Sequence, residues 1–101
     1  MNHKVVFAPK ANAHLTELFS LIADATSPEI AANYLEAIVH QCESLRTFPM
    51  RGTRRDDILP GLRVFGFRRR VSIAFRITGE VVTILGVYYA GRNFEHDFEE
   101  G

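Results

Sequence analysis

The sequence predicts an α+β fold of order β-α-α-β-β-β, a small antiparallel sheet covered on one face by a helical hairpin. Three observations predict it. Between Leu59 and Arg92 lie three β-like runs separated by turn residues. The middle run alternates, with Val71, Ile73, Phe75 and Ile77 on one face and Arg70, Ser72, Ala74 and Arg76 on the other. Residues 10–47 carry two apolar stripes at helical spacing and can cover the apolar face. A chain of 101 residues, 47% hydrophobic, suits one domain spanning 1–101.

His3 to Ala8 is rich in β-formers and ends at Pro9, so it is read as a first strand. Pro9 opens a helix, since the missing N–H of proline costs nothing in a first turn. Leu15, Leu18, Phe19 and Ile22 mark its buried face, and it runs to about Ala25. Ser27 is placed to cap a second helix with Pro28 in its first turn. Ala31, Leu35, Ile38, Cys42 and Leu45 form its stripe, and the short link makes the pair an antiparallel hairpin. Phe48-Pro49-Met50-Arg51-Gly52 breaks the helix. Leu59-Pro60-Gly61 is a second turn, and Leu62 to Phe67 a strand. Thr78-Gly79 suits a primed hairpin turn. Val81 to Tyr89 is apolar on both faces, the mark of a central strand. The tail is acidic, with Phe94 and Phe98 able to dock. The opposite sheet face is expected to stay open.

The formal net charge of zero hides a segregation. Residues 46–76 hold nine arginines against Asp56 and Asp57, whereas acidic residues dominate both flanks. So dense a basic block suits an anionic partner, nucleic acid or acidic peptide, and arginine's planar fork suits phosphate and carboxylate. Asp56 and Asp57 read as local ion pairs. His3, His14, His40 and His96 are scattered, without metal-ligand spacing, and His14 and His40 read as flanking helix residues. The lone Cys42 sits on an apolar stripe as core packing, and it fits a reducing compartment. The glycines assemble into neither phosphate-loop fingerprint, so no metal or cofactor is expected. No signal peptide or membrane-length apolar run is visible, which points to the cytoplasm.

Taken together, several motifs resemble the RelE/ParE superfamily of toxins from type II toxin–antitoxin systems. They are Phe48-Pro49 with Gly52, Leu59-Pro60-Gly61-Leu62-Arg63, Arg70 heading the alternating strand, and Ile84-Leu85-Gly86-Val87 leading to Gly91-Arg92-Asn93. The likeness spans Val5 to about Phe94 and is stronger to the ParE branch, in the LPGLR element and the run into Ala90-Gly91-Arg92. It implies a bacterial or archaeal toxin neutralised by a cognate, ParD-like antitoxin in a hetero-oligomer. The ParE likeness implies inhibition of DNA gyrase by binding, without a catalytic site. Arg63, Arg70 and Arg76 are then expected to meet the antitoxin, and Arg92, Tyr88 and Tyr89 the target. A RelE-like ribosome-dependent mRNA endoribonuclease is the alternative, with Arg70 and Arg92 as its sheet arginines. RelE-like chemistry also implies lysines after the helices and a tyrosine near the C-terminus. This chain has only Lys4 and Lys10, ahead of or at the start of the first helix, and no tyrosine beyond Tyr89.

Overall fold

The computed structural model describes residues 2–90 and 94–98. Strand β1 (Lys4–Phe7) leads into helices α1 (Pro9–Ala25) and α2 (Pro28–Glu43), then a 3₁₀ turn over Ser44–Arg46. Strands β2 (Thr53–Arg54), β3 (Leu62–Phe67), β4 (Val71–Thr78) and β5 (Val81–Tyr89) follow, and a short helix α3 (Phe94–Phe98) closes the order. The predicted elements all form, and the 3₁₀ turn, the short strand β2 and the short helix α3 are additional.

Local chemistry sets the boundaries. Pro9 and Pro28 start the helices, and the Ser27 hydroxyl accepts the Ile30 N–H at 3.2 Å, which satisfies one orphan donor of α2. At the end of α1 both the N–H and the hydroxyl of Thr26 donate to the Ile22 carbonyl. Leu59-Pro60-Gly61-Leu62 is a type II turn. Pro60 sits second, Gly61 third at φ +82°, and the Leu62 N–H donates to the Leu59 carbonyl at 2.9 Å. The β4–β5 turn lies one residue later than predicted. Thr78 pairs with Val81, so the loop is Gly79-Glu80, with Gly79 first at φ +61°. That is the glycine-first pattern of a type II′ turn.

The sheet runs β1-β5-β4-β3-β2. Strands β2 to β5 pair antiparallel, as expected. β1 departs from this by joining β5 in parallel, Lys4 opposite Val81 through Phe7 opposite Ile84. The direction of β1 is fixed by where the hairpin returns the chain, and its own composition carries no trace of that.

The helical hairpin covers one face, as predicted. Ala11, Leu18, Ile38, Cys42 and Leu45 pack on Phe65, Phe67, Val71, Ile73, Phe75, Val82, Ile84 and Val87. The opposite face is not open. Leu62, Ala74 and Tyr88 form a second buried cluster, roofed by Ile58, Leu59, Leu85 and the α3 residues Phe94 and Phe98. A register shift makes two faces possible on β5. Ala74 pairs with Gly86 but Phe75 with Ile84, so β5 carries one extra residue there. Before the bulge Val82 and Ile84 face the helices; after it Val87 and Tyr89 do, and Tyr88 turns to the second cluster.

Candidate functional site

The β3–β4 turn is Arg68-Arg69-Arg70, and its backbone is unusual. Arg68 and Arg69 have φ of +51° and +63°. Positive φ at both central positions belongs to a type I′ turn, whose twist matches the strands but which normally takes Asn-Gly. A side chain in this region costs on the order of 1–2 kcal/mol per residue. The neighbouring β4–β5 turn avoids that cost with Gly79. A third left-handed non-glycine, Ala90 at φ +56°, lies beside this turn at the exit of β5. Two hydrogen bonds pin the turn: the Arg70 N–H donates to the Phe67 carbonyl at 3.2 Å, and the Ala90 N–H donates to the Arg70 carbonyl at 2.9 Å.

Aromatic rings orient the first arginine. The Arg68 guanidinium lies 4.8 Å from the Phe67 ring centre and 5.6 Å from that of Tyr34 on α2. Tyr34 meets Phe67 edge-on at 5.7 Å and Tyr89 at 6.4 Å. Burial raises the Tyr34 phenol above its ordinary pKa and Tyr89 adds to the rise, while Arg68 and Arg70 pull the other way. Two phenols and the guanidinium groups of Arg68 and Arg70 therefore share one field at this end of the sheet.

The remaining arginines divide by whether a carboxylate meets them. Arg46 pairs with Glu43 at 2.7 Å, Arg54 with Asp56 at 2.9 Å, and Arg55 with Asp57 at 3.0 Å and Glu95 at 3.1 Å. The hydrogen bonds that Arg55 donates to Asp57 and Glu95 raise its pKa. The Gly61 N–H holds Asp56, and Arg55 holds Asp57, below the usual carboxylate range. Asp56 and Asp57 are thus ion-pair partners, as read from the sequence. Among the described residues, Arg51, Arg63, Arg68, Arg69, Arg70 and Arg76 have no carboxylate within salt-bridge distance.

The structure breaks up the arginine set expected from sequence. Arg63 and Arg76 lie at the end of the β3–β4 hairpin remote from Arg70, with Leu62 opposite Arg76 and Arg63 opposite Phe75. Six residues of β3 separate the two ends, roughly 20 Å at strand rise. Arg63 shares the face of Phe75 and Phe65, whereas Arg76 shares that of Leu62. Arg63 is tied to the Arg51 carbonyl at 3.3 Å and lines a shallow pocket with Met50, Arg54, Gly61 and Ile77. Tyr89 is half-buried beside Tyr34, but Tyr88 is 3% exposed, its ring packed against Phe94 and Phe98. Tyr88 therefore shapes the second core and presents little surface to a target. Arg92 lies outside the described residues.

His14, expected from the sequence to flank the helix, is instead buried, its Nδ1 accepting the Val87 N–H at 3.0 Å. That bond fixes the neutral ring with its proton on Nε2, which lies 4.0 Å from Asp97. The spacing Ala11, His14, Leu18 was the available signal. Among the described residues no cluster of His, Cys, Asp or Glu is arranged to hold a metal. On the outer side of the hairpin, Leu15, Phe19, Leu35 and Val39 line an open apolar groove of about 420 Å³.

A helical hairpin packed on a short sheet is a fold shared by known proteins. The chain matches the family described as "ParE toxin of type II toxin-antitoxin system, parDE" over residues 5–94. Toxin ParE1 of Mycobacterium tuberculosis, strains CDC 1551 / Oshkosh and ATCC 25618 / H37Rv, is 29% identical over 80 residues, 79% of this chain and 81% of the relative. A chain from the chromosomal ParDE system of P. aeruginosa superposes with a TM-score of 0.76 at 26% identity, covering 87% of this chain and 96% of that one. A chain of the RelBE2 toxin–antitoxin complex from M. tuberculosis shares the fold with a TM-score of 0.61 at 23% identity, over 88% and 99%. The chain belongs to the ParE toxin family, the ParE branch of the RelE/ParE superfamily. It is a toxin of a type II toxin–antitoxin system.

Proposed function

We propose that the toxin inhibits DNA gyrase by binding, in the bacterial cytoplasm, and that a cognate ParD-like antitoxin neutralises it. The observation that carries the reading is the chemistry of the strained turn. Arginine stays protonated at any physiological pH, and the Tyr34 phenol is biased toward its protonated form. These groups hold anions well but do not take protons from a ribose hydroxyl at neutral pH, the task a general base performs in RNA cleavage. Lys4 opens β1 opposite Val81, at the far end of β5 from Tyr89, and Lys10 pairs with Asp97, so neither lysine serves the turn.

The antitoxin reading rests on the family and on two features away from that turn. The apolar groove of Leu15, Phe19, Leu35 and Val39 suits an amphipathic segment, and Arg63 and Arg76, on the sheet, suit acidic residues elsewhere in a chain that wraps the toxin. Arg70, at the other end of the hairpin, is assigned to the target.

Purified toxin added to gyrase and relaxed plasmid should abolish supercoiling and leave cleaved plasmid, with the cognate antitoxin restoring activity. Full supercoiling at saturating toxin would overturn the reading. New cuts in translated mRNA, absent in Arg70→Ala, would move the assignment to a RelE-like endoribonuclease, in which Arg70 stabilises the phosphorane.

A further inference from the structure

We infer that the Arg68–Arg70 turn, with the hydroxyls of Tyr34 and Tyr89, is a binding site for the phosphate backbone of double-stranded DNA. The inference rests on the gyrase reading and deepens it: the toxin would hold the DNA of the gyrase complex as well as the enzyme. Four observations converge on this end of the sheet. Three successive exposed arginines have no carboxylate partner among the described residues, although the same chain pairs Arg46, Arg54 and Arg55. The turn that displays them is built from two left-handed arginines where Asn-Gly would relax it, so charge is kept at the expense of backbone ease. The display is rigid, pinned through the Phe67 carbonyl and the Ala90 N–H, with Arg68 held against Phe67 and Tyr34. Finally, the Tyr34 phenol lies in the field of Arg68 and Arg70 with its ring against that of Tyr89, and tyrosine is among the side chains that donate to backbone phosphates.

Duplex DNA fits this display better than an acidic peptide does. A duplex strand offers a fixed row of charges, one for about every 3.4 Å of axis, and needs no ordering to meet a rigid finger. A flexible acidic segment would lose conformational freedom on every contact. Net charge cannot supply the attraction, because the chain is neutral overall, so binding must come from this local cluster.

The test is fluorescence anisotropy of the full-length toxin with a labelled duplex of about 20 base pairs, without gyrase. With three phosphates neutralised, affinity should fall about 40-fold between 50 and 200 mM salt. Replacing the turn by its relaxed sequence, Arg68→Asn with Arg69→Gly, should weaken binding at least about 10-fold and cut the salt effect to about 3.5-fold. The same substitution should leave the melting temperature unchanged or higher, which separates lost binding from lost folding. Arg70→Gln, which leaves the turn residues intact, should also weaken binding. The pair Lys4→Gln with Arg46→Gln, an equal charge change elsewhere, should leave affinity within about 2-fold. No binding by the wild type at 50 mM salt, or equal binding by the Asn-Gly variant, would overturn the inference. So would a polyglutamate peptide that binds more tightly than the duplex with the same dependence on Arg68 and Arg69. If DNA binding behaves as described but supercoiling is untouched, the gyrase reading fails and the DNA site stands. If the wild type inhibits gyrase but binds no duplex at 50 mM salt, the DNA site fails alone and the gyrase reading stands.

Discussion

A methyl group added at Gly86 tests how tightly the second core is built. An ideal Cβ there would lie 2.6 Å from both Cε2 and Cζ of Tyr88, and closer still to its hydroxyl. Its φ is not in the left-handed region, so the conflict is with the ring and not with the backbone. The ring has little room to retreat: His14 meets it at 4.9 Å, Phe94 at 6.1 Å and Phe98 at 6.5 Å between centroids. Overpacking of this kind costs about 1–3 kcal/mol. Gly86→Ala is expected near the top of that range, with a melting temperature lower by roughly 10–20 °C for a domain of this size. Tyr88→Ala alone should cost about 3–5 kcal/mol, as large aromatic deletions do. In the double variant the new methyl enters the space the ring vacated. Its stability should therefore match Tyr88→Ala, giving a coupling equal to the whole Gly86→Ala cost, about 3 kcal/mol, in a urea-denaturation cycle. Additive losses would show that the ring does not occupy the glycine's space, and would refute the packing derived for this face.

Three further outcomes follow from single groups. Ser27→Ala removes the cap on Ile30 and should lower stability by about 1 kcal/mol in urea, with an unchanged m-value. Burial pushes the Cys42 thiol up to about 12, so iodoacetamide at pH 8 should label it only when denaturant unfolds the chain. Because the folded pKa is raised, the stability this thiol contributes is complete below its unfolded value, near 8.5, and is lost as pH climbs toward 12. Asp56 shifts the opposite way, lowered first by the Gly61 N–H. Its contribution is present above the unfolded pKa of about 3.9 and disappears as pH falls through the folded value, so Asp56→Asn should flatten the acid side of a melting-temperature profile.

Much of the fold was written in local chemistry and could be read there. Ser27, Pro28 and Gly61 act where local rules place them, and the alternation of Val71, Ile73, Phe75 and Ile77 does mark the helix-facing side. What escaped was set by contacts distant in sequence. The parallel direction of β1 depends on β5, more than seventy residues away. The bulge opposite Ala74 inverts the faces of β5, and so decides that Tyr88 turns to the second cluster and Tyr89 to the helices. The Arg70 and Arg76 side of β4 looked like one cationic surface because period-2 counting says nothing about length. Arg70 belongs to a turn, and Ala74 between them is buried under the second cluster. His14 escaped because a histidine on a helix is ambiguous until a backbone donor, here the Val87 N–H, is seen to meet it.

The partition of the arginines explains how an electrically neutral chain can still address an anion. Glu43, Asp56, Asp57 and Glu95 neutralise the arginines flanking the second helix and the loop before β3. Exposed pairs of this kind stabilise by little, about 0–1 kcal/mol each, so their larger effect is to remove positive potential where no ligand is wanted. The β3–β4 turn receives no such partner among the described residues, and mutual repulsion among Arg68, Arg69 and Arg70 adds to the cost of two left-handed residues. Neither cost is returned by packing in the free toxin beyond the contact of Arg68 with Phe67 and Tyr34. Both would be returned on binding an anion, which relieves the repulsion and uses a conformation already in place. Selection for stability alone favours Asn-Gly at residues 68 and 69. Two arginines stand there instead, as the inferred DNA site requires.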